Sequence, residues 1–193
     1  YKDISGPDGV PDGKIDTNDK TYIGSPHPDL TGGLNIGLGY GAFDLNLFFY
    51  GSYGNEMINY VSRWIDLGQF NGGKSKDALY KSWGSPYLDS NENATLPLHD
   101  LADGSQQPST YWIEDGSYLR LKNVILGYSL PKSLLDKIQV RNVRIYGQVT
   151  NLFTLTKYSG LDPALNSSGS YMGLDQGAWP TPREIMLGIT IGL

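Results

Sequence analysis

The sequence predicts an all-β protein of antiparallel, up-and-down strands with short helices in its loops, of the kind that forms the wall of a transmembrane β-barrel. Three observations carry this expectation. Five segments alternate apolar residues with small or polar ones, the period of a pleated strand. The connections between them alternate short with long, as in outer-membrane barrels. The composition, with 14 Tyr, four Trp and 25 Gly in 193 residues, leans towards β-structure with aromatic surfaces.

The strands follow in order. In GGLNIGLGY, Leu34, Ile36, Leu38 and Tyr40 share one face, opposite Gly33, Asn35, Gly37 and Gly39. Gly41 and Ala42 form a turn, after which FDLNLFFYGS sets Phe43, Leu45, Leu47 and Phe49 against Asp44 and Asn46. VILGYSLP sets Val124, Leu126, Tyr128 and Leu130 against Ile125, Gly127 and Ser129. VRIYGQVT sets Val143, Ile145 and Val149 against Arg144, Tyr146, Gln148 and Thr150. In REIMLGITIGL, Ile185, Leu187, Ile189, Ile191 and Leu193 oppose Met186, Gly188, Thr190 and Gly192.

A soluble sandwich buries such an apolar face against a second sheet, whereas a membrane barrel turns it towards lipid. Alternation alone does not separate the two; the connections do. They take about two residues, roughly sixty (Tyr53 to Asp115), about ten and about thirty, and tight periplasmic turns with large external loops give that rhythm. On this reading the chain ends on the periplasmic side, and residues 1–31 form an external loop with an acidic motif. Residues 53–115 and 151–180 are long external loops, and Asp44, Asn46, Arg144 and Gln148 line a wet lumen. A sixty-residue connection without order is uncommon. NEMINYVSRWIDLG predicts a helix with Met57, Tyr60, Val61, Trp64 and Ile65 on one stripe and Gly68 as its stop. SKDALYKSWG predicts a second, with Ser75 as N-cap and Gly84 beyond its end.

Several classes are disfavoured. A net charge of −5 without a basic run argues against nucleic-acid binding. With no cysteine, neither a disulfide frame nor a Cys-based zinc site is available, and His27 and His99 lack metal-ligand spacing. No apolar run approaches the ~18 residues of a membrane-spanning helix. The sequence starts at Tyr1, so the start and secretion address are expected outside it. No serine sits in a nucleophile motif, and Glu114-Asp115 and Asp100…Asp103 read as loop decoration, so no enzyme is expected. GGLNIGLG ends in a strand rather than a helix and fails as a phosphate cradle.

DGVPDGKIDTND resembles a twelve-residue calcium loop without its helices. With Asp8 at position 1, Asp12 falls at 5, Gly13 at 6, the Lys14 carbonyl at 7, Asp16 at 9 and Asp19 at 12. Val10 at position 3 offers no side-chain oxygen, and Asp3 or a water completes the shell. A flexible, carboxylate-rich loop favours a structural Ca²⁺ over Mg²⁺; the plainer reading is a solvated acidic turn. Trp64, Trp83, Tyr87 and Tyr111 are candidate ligand-binding aromatics, whose flat faces stack on sugar rings or pack on peptides. Packing within its own loop competes for Trp64, and Trp112 and Trp179 read as members of an aromatic girdle.

Five blocks in order are similar to the C-terminal part of the SusC/RagA family of TonB-linked outer-membrane transporters. They are the acidic loop with YIGSPHPDLTGGLN, then FDLNLFFYGSYGNE, IEDGSYLRLKNVILGYSLP, TNLFTLTKYSGLDPALN and WPTPREIMLGITIGL. The resemblance implies a 22-stranded barrel of which this chain supplies roughly the last five strands, with the plug domain absent from it. It also implies import of a bulky nutrient, a glycan (oligosaccharide) or an oligopeptide, across the outer membrane of a Gram-negative cell. A SusD-like lipoprotein would act as the lid, and TonB-ExbB-ExbD would engage through the missing N-terminal region. Two features depart from the family pattern. The chain finishes on Leu193 rather than an aromatic residue, and DISGPDGVPDGKID replaces a compact Asp-x-Asn-Gly-Asp-Gly run. The alternative is a soluble extracellular β-domain that binds calcium and carbohydrate.

Overall fold

The computed structural model describes residues 1–5, 9–67, 72–98, 109–164 and 169–192, apart from the side chains of Ile138 and Ser170. Two compact units emerge, Tyr1–Ser25 with Ile58–Ile113, and Pro26–Met57 with Glu114–Leu193. Among the described residues eight strands follow in order: β1 Leu30–Tyr40, β2 Phe43–Tyr53, β3 Glu56–Asn59, β4 Ile113–Asp115, β5 Tyr118–Ser129, β6 Asn142–Thr156, β7 Leu174–Asp175 and β8 Glu184–Gly192. Three α-helices accompany them among the described residues: α1 Tyr60–Asp66, α2 Lys76–Tyr80 and α3 Lys132–Ile138.

The second unit is built on one antiparallel sheet in the order β1-β2-β5-β6-β8, each strand beside its predecessor in the sheet. Gly41, at φ 58°, lets β1 turn into β2 over two residues. Direct partners share a face, so the register decides what each face is made of. Leu38, Leu45 and Leu126 form one cross-strand row; Leu47, Val124, Val149 and Ile185 form another; Phe43, Tyr128, Ile145 and Ile189 a third. The opposite face carries the rows Gly37-Asn46-Ile125-Gln148-Met186 and Gly39-Asp44-Gly127-Tyr146-Gly188. A slip of one residue on any strand would exchange the two.

The apolar face is largely open, although Leu121 and Val143 on it are enclosed. Leu187 is 86% exposed and Ile189 64%, so no second layer of this chain seals them as a sandwich would. The antiparallel meander predicted from alternation is thus present, with its greasy side turned outward.

The ends of the strands differ from expectation for a physical reason. β5 begins at Tyr118 rather than Val124, because a bulge interrupts its alternation. Phe48 pairs with Asn123 and Phe49 with Leu121, which leaves Lys122 extra. Before the bulge Leu119 and Leu121 occupy the apolar side, and after it Val124, Leu126 and Tyr128 do, so the period changes phase mid-strand. β6 runs on to Thr156 through a matching irregularity at Asn151, whose φ is 51°.

The loop helices correct the sequence reading in part. Glu56–Asn59 is strand, and α1 starts only at Tyr60, where Asn59 caps it by accepting from the Ser62 amide at 3.0 Å. Met57 is buried from that strand, while Trp64 and Ile65 remain 39% exposed, so the predicted stripe is not one helical face. Gly68, its expected stop, lies outside the described residues. α2 starts as predicted: the Ser75 hydroxyl accepts from Ala78 N at 3.0 Å, and Gly84 follows the helix with φ 76°. α3 was not expected. It occupies the β5–β6 connection behind Pro131 and closes on Gln139 in the left-handed region.

Candidate functional site

The polar face of the sheet gathers the residues predicted to border a wet lumen. Arg144 on β6 donates to both carboxylate oxygens of Asp44 on β2, at 2.9 and 2.5 Å. The pair spans β5 because the intervening residue is Gly127, where an added Cβ would run into both side chains. Tyr146 lies over Gly188 and Phe48 over Gly33 by the same device. The Arg144 guanidinium also sits 5.1 Å from the Tyr146 ring centre. Asn35, Asn46, Leu47, Phe48, Asn123 and Ile125 line a depression of about 310 Å³. Beside it, Asn123 Oδ1 and Thr150 Oγ1, partners in register, are buried with no hydrogen bond. Gln148 shares a row with Asn46. These side chains can hold water and polar solutes, and none pairs a nucleophile with a base.

A second polar constellation was not legible beforehand. Arg120, on the polar side of β5, is 4% exposed and ion-pairs with Asp162, which is 2% exposed. Its Nε donates to Thr154 Oγ1 at 2.7 Å. Asp162 also accepts from the amides of Ala164 at 2.8 Å and Thr181 at 2.9 Å. Burial pushes the Asp162 carboxyl up, but the Arg120 guanidinium and these amides outweigh it and hold the group below the usual carboxylate range. Nearby, the buried Tyr158 hydroxyl donates to Asp175 Oδ2 at 2.6 Å; burial first, then that carboxylate, drives the phenol far above its ordinary value. Glu114 accepts from the Ser159 amide at 2.7 Å and hydroxyl at 2.8 Å, so it fastens this segment rather than decorating a loop. The only sequence signals were an arginine inside an alternating strand and a Gly-Leu-Asp-Pro step.

The acidic loop spends its carboxylates on the backbone. Asp3 accepts from Gly13 N at 2.7 Å, Asp12 from Lys14 N at 2.9 Å and Asp16 from Asn18 N at 2.7 Å. Asp19 accepts from Ile4, Ser5 and Asp16, and the Asp16 and Ile4 amides hold its carboxyl below the ordinary range. Among the described residues no three acidic or histidine side chains are grouped to hold a metal ion. Asp8, the expected first ligand, lies outside them, as do His99, Asp100, Asp103 and Leu193.

The four candidate aromatics are dispersed. Trp64 packs edge-on against Tyr60 at 5.3 Å and Tyr111 edge-on against Trp112 at 4.7 Å, while Tyr87 lies tilted against Tyr80 at 5.2 Å. Trp83 is 52% exposed, with its amide bonded to the Leu96 carbonyl. Among the described residues, no ring contact joins two of the four. Tyr111 also donates to the Thr95 carbonyl at 2.9 Å, and burial, then the Asp66 carboxylate, pushes its phenol up to about 12. Trp112 is 4% exposed, which removes it from any aromatic girdle; a ring sealed in its own loop meets no membrane interface. Trp179 is exposed.

No family model matches the chain. Over 93% of its length it is 37% identical to TonB-dependent receptor P3 of Formosa agariphila, covering 18% of that protein. It is 30% identical to TonB-dependent receptor SusC of Bacteroides thetaiotaomicron, again over 93% of this chain but 16% of the relative. The RagAB peptide importer in its closed-closed state superposes with a TM-score of 0.74 at 28% identity, covering 95% of this chain and 19% of that one. For the RagAB peptide transporter the TM-score is 0.76 at 27% identity, covering 98% and 20%. The chain thus spans less than a fifth of the length of these curated relatives.

Proposed function

Because the chain is a SusC/RagA-like segment, we propose that it forms barrel wall and external loops of a TonB-dependent importer in the outer membrane of a Gram-negative bacterium. The observation that carries this reading is the open apolar face, with Leu187, Ile189 and Ile191 each more than half exposed on a strand that alternates with polar or small residues. In water such a face drives aggregation; in a bilayer it is the surface a barrel needs. The polar rows on the other side then border the passage, and the chain's role is transport rather than catalysis.

The cargo in this reading is a bulky nutrient, an oligosaccharide or an oligopeptide. Residues 1–31, 53–115 and 151–180 face the outside, where Trp64, Trp83, Tyr87 and Tyr111 are available to cargo and a SusD-like lipoprotein covers the mouth. Energy reaches the barrel from TonB-ExbB-ExbD through other parts of the whole protein. A structural calcium ion on Asp12, the Lys14 carbonyl, Asp16 and Asp19 belongs to the same proposal: it would replace backbone amides as the partner of repelling carboxylates. Calorimetric titration of the whole receptor with Ca²⁺ should give heat that Asp12→Ala abolishes; identical traces would remove the ion from this account.

The test of the function is made in the cell. The whole receptor should sediment with the outer membrane, and deleting its gene or blocking TonB should stop growth on one class of oligomer. Recovery in the soluble fraction would refute the reading.

A further inference from the structure

We infer that the basic connection between β5 and β6 docks anionic phospholipid headgroups in the leaflet at the tight-turn end of the sheet. The inference rests on the reading above, in that it takes the apolar face to meet hydrocarbon. Backbone bonds define this rim. Ser129 N donates to the Ala42 carbonyl, in the β1–β2 turn, and Arg141 N to the Gly192 carbonyl at the end of β8, both at 2.9 Å. The aromatic row of the apolar face reaches the same rim, with Tyr40 paired to Phe43 and the rings of Phe43 and Tyr128 4.8 Å apart.

Charge is the second observation. The chain is acidic, at −5, yet between Pro131 and Asn142 the cations Lys132, Lys137 and Arg141 stand against a single carboxylate, Asp136. All three cations are exposed, and among the described residues none is in an ion pair. Helix stability explains only one of them. Lys137, in the last turn of α3, complements the helix dipole; Lys132, in the first turn, opposes it, and no acidic residue stands there to compensate. Arg141 lies beyond the helix. An anion from outside the chain accounts for all three.

The helix is also fixed in a suitable pose. Leu135 is 5% exposed and pins α3, the Gln139 amide closes it on the Leu135 carbonyl, and Leu134 remains 47% exposed. A lysine at a hydrocarbon boundary lays its methylene stem along apolar surface and lifts its ammonium to the phosphates. Each basic residue beside an anionic leaflet strengthens association about fivefold.

The experiment uses the whole receptor in nanodiscs of phosphatidylethanolamine and phosphatidylglycerol, with co-retained lipid read by native mass spectrometry. The native receptor should retain phosphatidylglycerol preferentially. The triple variant Lys132→Gln, Lys137→Gln, Arg141→Gln should lose at least about tenfold of that preference, and Lys132→Arg with Lys137→Arg should keep it. No preference in the native receptor, or an equal one in the triple variant, overturns the proposal. So does retention of a protein by the rim in place of lipid. The triple variant should still sediment with the outer membrane, so failure of lipid selectivity leaves the transport reading standing, whereas failure of the native receptor to enter bilayers at all removes that reading first.

Discussion

On strand β8 of the five-stranded sheet the large aliphatic side chains are open to the surroundings, while in the connection between β6 and β8 the most deeply enclosed groups are charged. Leu187 is 86% exposed; Asp162 is 2% exposed. A water-soluble protein does the reverse. The sheet can leave its aliphatic residues outside because its ladders satisfy the backbone whatever the solvent. Among the described residues of the connection, β7 alone joins a ladder, and an ion pair, a phenol-carboxylate bond and borrowed amides fix the rest. Solvent chemistry governs the first region and hydrogen-bond closure the second.

The strongest way to break the comparison is Arg120→Ala. It leaves Asp162 enclosed without its cation and should cost about 3–5 kcal/mol, seen as loss of hydrogen-exchange protection at Tyr158 and Ala164 in the whole receptor. Acid should act at the same place. Because the folded-state carboxyl of Asp162 titrates below its unfolded value near 3.8, its contribution is complete above that pH and is lost as pH falls through the lower folded value. Arg120→Ala should erase this acid sensitivity; an unchanged profile would mean that the ion pair does not hold the connection.

Next in size is a pair of neighbouring substitutions on β8. Leu187→Lys puts a charge on the apolar face and should cost about 2–4 kcal/mol in a bilayer, whereas Met186→Lys, beside Gln148 on the polar face, should cost far less. Equal effects in refolding titrations would contradict the assignment of faces. Gly127→Ala comes third. Its methyl group enters the space of the Asp44–Arg144 bridge, and overpacking of this kind costs about 1–3 kcal/mol. Adding Asp44→Ala should recover most of the loss if the bridge is what the methyl displaces. The smallest effect is expected at Tyr111. Its neutral phenol is favoured in the fold, so the stability it lends is full below the ordinary value of 10.0 and lost as pH rises towards about 12. Tyr111→Phe should remove that alkaline step from a phenolate-absorbance titration.

These regions also differ in how far they could be read from sequence. Alternation disclosed all five strands of the sheet closely enough to assign both faces over most of their length, most clearly where Leu34 to Tyr40 or Ile185 to Ile191 repeat without interruption. It lost the beginning of β5 where Lys122 changes the phase, and the end of β6 where Asn151 does. Asp44 and Arg144 were placed on one face, but their bridge depends on Gly127 lying between two strands a hundred residues apart in sequence, which no local pattern encodes. The Arg120–Asp162 pair was invisible for the same reason. The aromatics of the long loop were legible as aromatics only; whether Trp112 is sealed and Trp83 open is a matter of tertiary packing.

The central claim concerns the direction in which β8 turns its two faces. This segment contains no cysteine, so single spin-labelled cysteines introduced from Ile185 to Ile191 of the whole receptor, in bilayers, report each position separately. The account predicts high collision rates with dissolved oxygen and low ones with a water-soluble nickel chelate at 185, 187, 189 and 191, and lower oxygen contact at 186 and 190. A profile without that two-residue period, or one in the opposite phase, would contradict it.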